Sequence, residues 1–467
     1  MQNEVTVVIL AAGLGTRMRS RQAKVLHRAG GQTLIEHAVD AAESIARPDR
    51  IFVVVGHQAA EVRGTLDARG VGFVHQTEQR GTGHALLCGK AELAHLGGLL
   101  VVFYGDCPLI TPATLRNLVE HERDSHAAAT MITTQLPDPT GYGRIVRDGN
   151  GNVRAIVEQK AGTPDQLAIT EVNPGIYCFR AESFWKHVGE IEPNNAANEY
   201  YLTDMVEILI RASYSIQPMP VADSSELLGI NNRLELAAVD RMFRERKVRE
   251  LMLDGVTIEK PETVTIDKHV RVGMDTVIGP FTQILGRTAI GESCRIGACS
   301  IIADSELGDA VEIGAYTIVG TSKLEKGAHA GPYSRLRMDN HLGKGAHVGN
   351  FVELKKTSIG AGSKAMHLAY LGDSSVGEGA NIGAGTITCN FDGAQKFRTR
   401  IGNGAFVGSN STLVAPLEIG DGAYLAAGSV ITHKVPDDAL ALGRTRQVNK
   451  EGWAQRLREK RKREGQK

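Results

Sequence analysis

Residues 7–20 read VVILAAGLGTRMRS, an apolar run that closes on a glycine-rich turn, with Arg17, Arg19 and Arg21 following. Gly13 and Gly15 can take positive φ and let a ligand approach the backbone closely. Exposed backbone N–H groups with Arg17 beside them would suit a polyphosphate. Neither of the best-known phosphate loops is present. Met18 stands where a dinucleotide fingerprint needs its third glycine, and no Gly-Lys-Ser/Thr follows. An ordinary strand-to-helix turn with solvated arginines fits the same letters. A second polar stretch, YGDCPLI at 104–110, also follows an apolar run.

The elements that must hold these residues change character partway along the chain. Up to about residue 230, short apolar runs (VTVVILAAG, IFVVVG, LLVVFYGD, AATMITTQ) alternate with helical patterns such as TLIEHAVDAAESIA. That alternation predicts βαβ units and a mostly parallel, Rossmann-like α/β sheet. Ligands of such sheets sit beyond the carboxyl ends of strands, where both AAGLGTR and YGDCPLI fall. Residues 232–253 predict one exposed connecting helix, apolar at Leu236, Val239, Met242 or Phe243, and Leu251, with Gly255 as a stop.

After Gly255 the period becomes six. Aliphatic residues stand at Val272, Ile278, Ile284, Ile290, Ile296 and Ile302. After one five-residue step they resume at Leu307, Ile313 and Val319, and they return at Ile401, Val407, Leu413, Ile419, Leu425 and Ile431. No helix or hairpin strand has this period, whereas a hexapeptide β-helix does, three short strand-and-turn units closing one triangular coil. Between 321 and 400 the rhythm loosens, and IGAGTITCNFDGAQKFRTRIG carries a polar insertion. It reads as a loop on a binding face or an inert surface loop. The organisation expected is 1–231, a linker helix at 232–254, a β-helix at 255–445 and a basic tail at 446–467.

Composition excludes several classes of function. Lys+Arg and Asp+Glu both total 53, so no global field recruits nucleic acid or a membrane surface. Cys88, Cys107, Cys178, Cys294, Cys299 and Cys389 are scattered without a C-x-x-C pair, which fits a reducing cytosol better than a disulfide framework or metal site. No apolar run approaches the ~20 residues of a membrane span, and no basic segment precedes the first one, so a soluble cytoplasmic protein is expected. The tail RLREKRKREGQK carries seven basic residues and reads as solvated.

Taken in order, LAAGLGTRM with KVLH, QRGTGHA, YGDCPLI, DPTGYGRIV, EYYLTD, GINNR, GNFVELKK, GAGTITCNFDGAQKF and KEGW resemble one family across nearly the whole chain. It is the bacterial N-acetylglucosamine-1-phosphate uridyltransferase/glucosamine-1-phosphate acetyltransferase family, whose members make UDP-N-acetylglucosamine for cell-wall and lipopolysaccharide synthesis. The resemblance implies a nucleotidyltransferase domain followed by a left-handed parallel β-helix. It also implies a homotrimer in which acetyl-coenzyme A sites are shared between neighbouring β-helices, with no nucleic-acid or membrane partner. A single-activity sugar nucleotidyltransferase with a purely structural β-helix is the alternative.

For uridylyl transfer, the resemblance assigns Leu10, Ala11, Ala12 and Gly13 to the nucleotide and Arg17 and Lys24 to the phosphates of UTP. Gln76, Gly81 and Thr82 match the uracil-reading residues, with Tyr104 and Gly105 beside them. Gly143, Glu158 and Asn173 match the N-acetylglucosamine-1-phosphate pocket, where Pro174 replaces the family's usual threonine. Asp106 and Asn231 match the Mg²⁺ ligands, and one carboxylate plus one amide oxygen suits a hard octahedral ion. Read alone, Asp106 is equally a cap after a strand and Asn231 a helix cap.

For acetyl transfer to glucosamine-1-phosphate, His367 in KAMHLAY matches the general base, a role its unperturbed pKa near 6.5 suits. Arg337, Lys355, Tyr370, Asn381 and Lys396 match residues around the acceptor sugar phosphate. Met338 stands where the family has proline. Ala384, Asn390, Phe391, Ser409, Ala427 and Arg444 match the acetyl-coenzyme A site. Cys389 invites a covalent acetyl-enzyme, but an amine needs no such relay.

Overall fold

The structure is a computed structural model and describes residues 4–195 and 198–464. It divides into two compact units, Met1–Arg246 and Lys247–Lys467.

The first unit is built on one ten-stranded sheet among the described residues. Its strands are β1 (Val5–Leu10), β2 (Ile51–Val55), β3 (Gly72–His75), β4 (Leu99–Tyr104), β5 (Ala129–Gln135), β6 (Gly143–Arg147), β7 (Val153–Val157), β8 (Glu171–Asn173), β9 (Tyr177–Arg180) and β10 (Ile216–Pro220). The order is β3-β2-β1-β4-β9-β5-β8-β6-β7, with β10 on β5. Pairings β3-β2, β2-β1 and β1-β4 are parallel, as strand–helix alternation dictates. Beyond β4 the pairings are antiparallel apart from β10 on β5. The mostly parallel sheet expected is thus met in the half carrying the glycine-rich loop, and the sheet as a whole is mixed. β1 and β4 are buried on both faces, which explains their unbroken apolar sequences. Their carboxyl ends deliver residues 11–17 and 105–107 side by side.

The helix Arg233–Leu253 runs through the boundary between units. It is not merely a solvated connector. Val239 is buried in a cluster with Met18, Leu34 and Ile230, and Phe243 stacks on His37 with ring centroids 4.1 Å apart. Farther along, Val248 and Leu251 belong to the core of the second unit.

That second unit is a parallel β-helix whose three faces carry eleven, ten and nine strands among the described residues. They open on Thr257–Ile258, Thr265–Ile266 and Arg271–Val272, and up to the last coil each strand pairs with the third strand after it, one coil on. The hexad residues point inward and stack, as Ile278, Ile296 and Ile313 do on the first face. Each such burial is worth about 1.5–3 kcal/mol. Between 321 and 382 the coil does not loosen, and the count is lost only at the polar insertion, where the coil from Val376 to Ile401 takes 25 residues. Leu324, Ala330, Leu336, Leu342, Val348, Leu354, Ile359, Ala365, Leu371, Val376 and Ile382 continue the core without a break. The steps 302→307, 319→324, 354→359 and 371→376 all enter the third face, so the five-residue turn belongs to one edge of the triangle. The basic tail forms the exposed helix Trp453–Glu464, and its residues 465–467 lie outside the described residues.

Candidate active sites

In the first unit the loop after β1 passes into a single 3-10 turn, Thr16–Met18, instead of a long helix. Gly15 takes φ 60°, and a Cβ there would lie 2.8 Å from Lys24 Cβ. Gly13 does not use positive φ and has no atom within 4 Å of where its Cβ would be. The loop therefore needs one left-handed glycine, and it brings Lys24 against Asp106, whose Oδ2 accepts from Lys24 Nζ. Asn232 caps the following helix, its Oδ1 accepting from Glu235 N at 3.0 Å. Asn231 is left to accept from Arg17 Nη2 through Oδ1 at 2.8 Å.

A cavity of about 540 Å³ opens here. Arg17, Tyr104, Asp106, Gly143, Glu158, Asn173 and Asn231 line it, residues expected together although they span 214 positions. Asn173 keeps its place despite Pro174: its Oδ1 accepts from Gly175 N at 3.0 Å and its Nδ2 donates to Tyr177 OH at 2.7 Å. Glu158 accepts from Thr203 Oγ1 at 3.2 Å, and burial raises its pKa. Burial also raises the Asp204 carboxyl to about 6, with Glu158 and Glu207 adding to the shift. Thr203, Tyr142 and Glu235 also line the cavity or its wall. Sequence reading missed them as site residues, although EYYLTD contains Thr203 and Asp204.

Leu10, Ala11 and Ala12 are buried at the end of β1, and Gly105 N donates to Leu10 O at 3.0 Å. Gln76, Gly81 and Thr82 lie outside the cavity, the first two on the segment between β3 and the helix Thr82–Leu93, which Thr82 opens. Tyr104 joins the two groups, because it lines the cavity and shares a hydrogen bond with Thr82.

In the second unit, register brings most of the expected acceptor residues to one edge of the second face. Leu336, Leu354 and Leu371 stack in register, so Arg337, Lys355 and Gly372 follow one another up the edge. Arg337 Nη1 lies 3.1 Å from Glu353 Oε1 and Lys355 Nζ 3.9 Å from Asp373 Oδ2. The polar insertion is a small hairpin in which Phe391 pairs with Lys396 and Phe397 N donates to Asn390 O at 2.9 Å. The hairpin returns Lys396 to Lys355, and the ammonium beside it lowers the Lys355 pKa, with burial second. Asn390 donates to Asp373, and a Cβ on Gly372 would meet both Tyr370 OH and Asn390 Nδ2, at 2.5 and 2.7 Å.

His367 ends the first-face strand Lys364–His367 and is exposed, in register with Asn350. Register along the first face stacks Ala384, Ser409 and Ala427 at the same corner, and Arg444 Cδ lies 3.9 Å from where a Cβ on Gly428 would stand. Phe391 is exposed. One chain does not bring Asn381 to the lysine cluster: it sits on the first face, paired with Lys364 and Phe406. Among the described residues no three His, Cys, Asp or Glu side chains gather as a metal cage, and no helix is long and apolar enough to cross a membrane.

Residues 7–162 match the MobA-like NTP transferase domain, and residues 269–304 and 398–433 match the bacterial transferase hexapeptide repeat. The bifunctional protein GlmU of Solibacter usitatus is 61% identical over 98% of both chains. Those of Koribacter versatilis and Shouchella clausii are 49% and 44% identical, over 98% and 96% of this chain and 98% of their own. With a nucleotidyltransferase sheet, a hexapeptide β-helix and these relatives over nearly its whole length, the chain belongs to the GlmU family of bifunctional uridyltransferase and acetyltransferase enzymes.

Proposed function

We propose that each unit runs one step of UDP-N-acetylglucosamine synthesis with its own set of side chains. Acetyl transfer from acetyl-coenzyme A to glucosamine-1-phosphate occurs on the β-helix, and uridylyl transfer from UTP to the product occurs in the first unit. The observation that carries this is the convergence of Arg17, Asp106, Gly143, Glu158, Asn173 and Asn231 on a single cavity.

In uridylyl transfer a sugar phosphate oxygen attacks the α-phosphorus of UTP and pyrophosphate leaves. The nucleophile is already an anion, so no base is required and catalysis is alignment plus charge neutralisation. Lys24 and Arg17 supply mobile and forked positive charge for the phosphates. Gly143, Glu158 and Asn173 hold the sugar. Asp106 and Asn231 offer hard oxygen donors, and each already faces a cationic side chain, so the pair suits a divalent cation. Mg²⁺ held there supplies further neutralisation of phosphate charge.

In acetyl transfer the glucosamine ammonium must lose a proton before its nitrogen attacks the thioester carbonyl, the C–S bond then breaking to release the coenzyme A thiolate. His367 accepts that proton. The repulsion between Lys355 and Lys396 is relieved by a phosphate dianion, and Arg337 adds a fork for its oxygens. Coenzyme A lies along the stacked small residues Ala384, Ser409 and Ala427, with Arg444 beside Gly428.

Asn381 and the lysine cluster on different faces support sharing of this site between chains. At the His367 corner Tyr316, Tyr333 and Phe351 are exposed and stacked, with centroids 5.0 and 5.5 Å apart. An exposed apolar column of this kind suits a partner surface, and a trimer of β-helices would bury it. All six cysteines are free, in keeping with a reducing cytoplasm.

The test is one radiolabelled assay with glucosamine-1-phosphate, acetyl-coenzyme A, UTP and magnesium. Omitting acetyl-coenzyme A should stop the first step, and omitting UTP or magnesium only the second. Product formed without magnesium would remove the cation from the account.

A further inference from the structure

Gln76 matches a uracil-reading residue of the family, an assignment that rests on the uridylyl transfer proposed above, and a carboxamide can face a base with either its donor or its acceptor. Which one it presents is decided inside the chain. Gln76 is buried. Its Nε2 lies 3.0 Å from the Gly81 carbonyl oxygen and 3.1 Å from His84 Nδ1. A carbonyl only accepts, so the atom facing Gly81 must be the amide nitrogen. Its second hydrogen then points at His84 Nδ1, which must accept, leaving the imidazole proton on Nε2. Both amide hydrogens are thereby committed, and Oε1 is the atom left for a ligand.

We infer that His84 is the positioning residue that sets base choice, by locking the Gln76 carboxamide with its oxygen toward the base. An acceptor there pairs with the N3–H of a uracil-type ring and opposes the N3 lone pair of cytosine. The Gly81 carbonyl alone fixes one hydrogen, and the His84 contact makes the flipped amide doubly unfavourable, since its oxygen would face two acceptors. His84 is in contact on several sides. His84 sits in the first turn of the helix Thr82–Leu93. Its ring packs on Tyr200 at 5.9 Å between centroids, with Cys88 Sγ 3.8 and 3.9 Å from the two ring nitrogens. The main-chain carbonyl of Tyr200 accepts from Gly83 N at 2.8 Å, its main-chain N–H donates to Arg80 O at 2.8 Å, and the Arg80 guanidinium lies 5.0 Å over its ring.

The experiment measures kcat/KM for UTP and for CTP on the full chain, with the first unit's melting temperature measured on the same preparations as a check on folding. His84→Leu keeps the bulk and removes the acceptor. His84→Asn places a carbonyl oxygen near the Nδ1 position. The UTP:CTP ratio should fall about tenfold in His84→Leu, the scale of one lost hydrogen bond, and stay near wild type in His84→Asn. Gln76→Ala should lower the ratio at least as far. An unchanged ratio in His84→Leu alongside a collapse in Gln76→Ala would overturn the role of His84 alone. Equal losses in His84→Leu and His84→Asn would also overturn it, in favour of packing. An unchanged ratio in Gln76→Ala would instead remove the base-site assignment on which the inference rests.

Discussion

Replacing Gly15 by alanine should cripple one activity and leave the other intact. The added Cβ must occupy a left-handed conformation, φ 60°, which costs an L-residue about 1–2 kcal/mol. It would also stand 2.8 Å from Lys24 Cβ, closer than an ordinary contact by about half an ångström. The obstructing atom is at the root of the lysine side chain, so rotating the distal chain gives no relief. Either the loop or the Lys24 backbone must shift, and the Lys24–Asp106 pair shifts with it. A displacement approaching 1 Å among phosphate-aligning groups costs about 10²-fold in rate. Uridylyl-transfer kcat/KM should therefore fall about 10²-fold, while acetyl transfer stays within about twofold. The strain of about 2 kcal/mol should lower the first unit's melting temperature by about 4–8 °C. Gly13→Ala is the control: with no positive φ and no neighbour within 4 Å, it should leave that temperature unchanged. Wild-type uridylyl transfer in Gly15→Ala, at an unshifted melting temperature, would refute the steric argument.

Glu122 is fully buried, accepts from Thr130 Oγ1 at 2.8 Å and lies 3.2 Å from Arg180 Nε, and burial raises its pKa to about 7 from 4.5. A raised folded pKa means the native state holds the proton, so its stabilising effect is complete below about pH 4.5 and is lost as pH climbs through about 7. Between about pH 5 and about pH 8.5, wild type should lose about 2–3 kcal/mol relative to Glu122→Gln, read by urea unfolding with the fluorescence of buried Trp185; parallel stability curves would contradict this. Cys389→Ala should retain substantial acetyl transfer, and trapping a stoichiometric acetyl-cysteine at Cys389 would overturn direct attack by the amine. Tyr333→Ser, which breaks the exposed aromatic column, should shift the protein toward monomer in sedimentation and reduce acetyl transfer with little effect on uridylyl transfer. A monomeric wild type with full acetyl transfer would eliminate site sharing.

The hexads were legible because an inward aliphatic every six residues has no other structural cause. Between 321 and 400 the signal faded where Ala330 and Ala365 take the inward position and where five-residue steps at 324, 359 and 376 break the count, although the coil itself continues. In the first unit, doubly buried strands such as β1 and β4 announced themselves by composition. Strand direction beyond β4 did not, since antiparallel β9 has the same apolar letters, YCFR, as a parallel strand would. Local sequence could not decide whether Asn231 or Asn232 caps the helix, because either asparagine can do so. Only the fold shows Asn232 taking that role and Asn231 turned to Arg17. Thr203 holds Glu158 across 45 positions, a pairing with no local signature.

The central claim is that two separate chemistries reside in two separate units, and Asp106→Ala and His367→Ala test it most directly when both half-reactions are assayed on each purified variant. Asp106→Ala should lose uridylyl transfer about 10³-fold and keep acetyl transfer, and His367→Ala should show the reverse, each effect being the loss of one electrostatic or proton-transfer group. An equimolar mixture of the two variants should convert glucosamine-1-phosphate through to UDP-N-acetylglucosamine, because the acetylated intermediate can diffuse from one protein to the other. Parallel loss of both activities in either folded variant, or a mixture that fails to complete the sequence, would contradict the assignment.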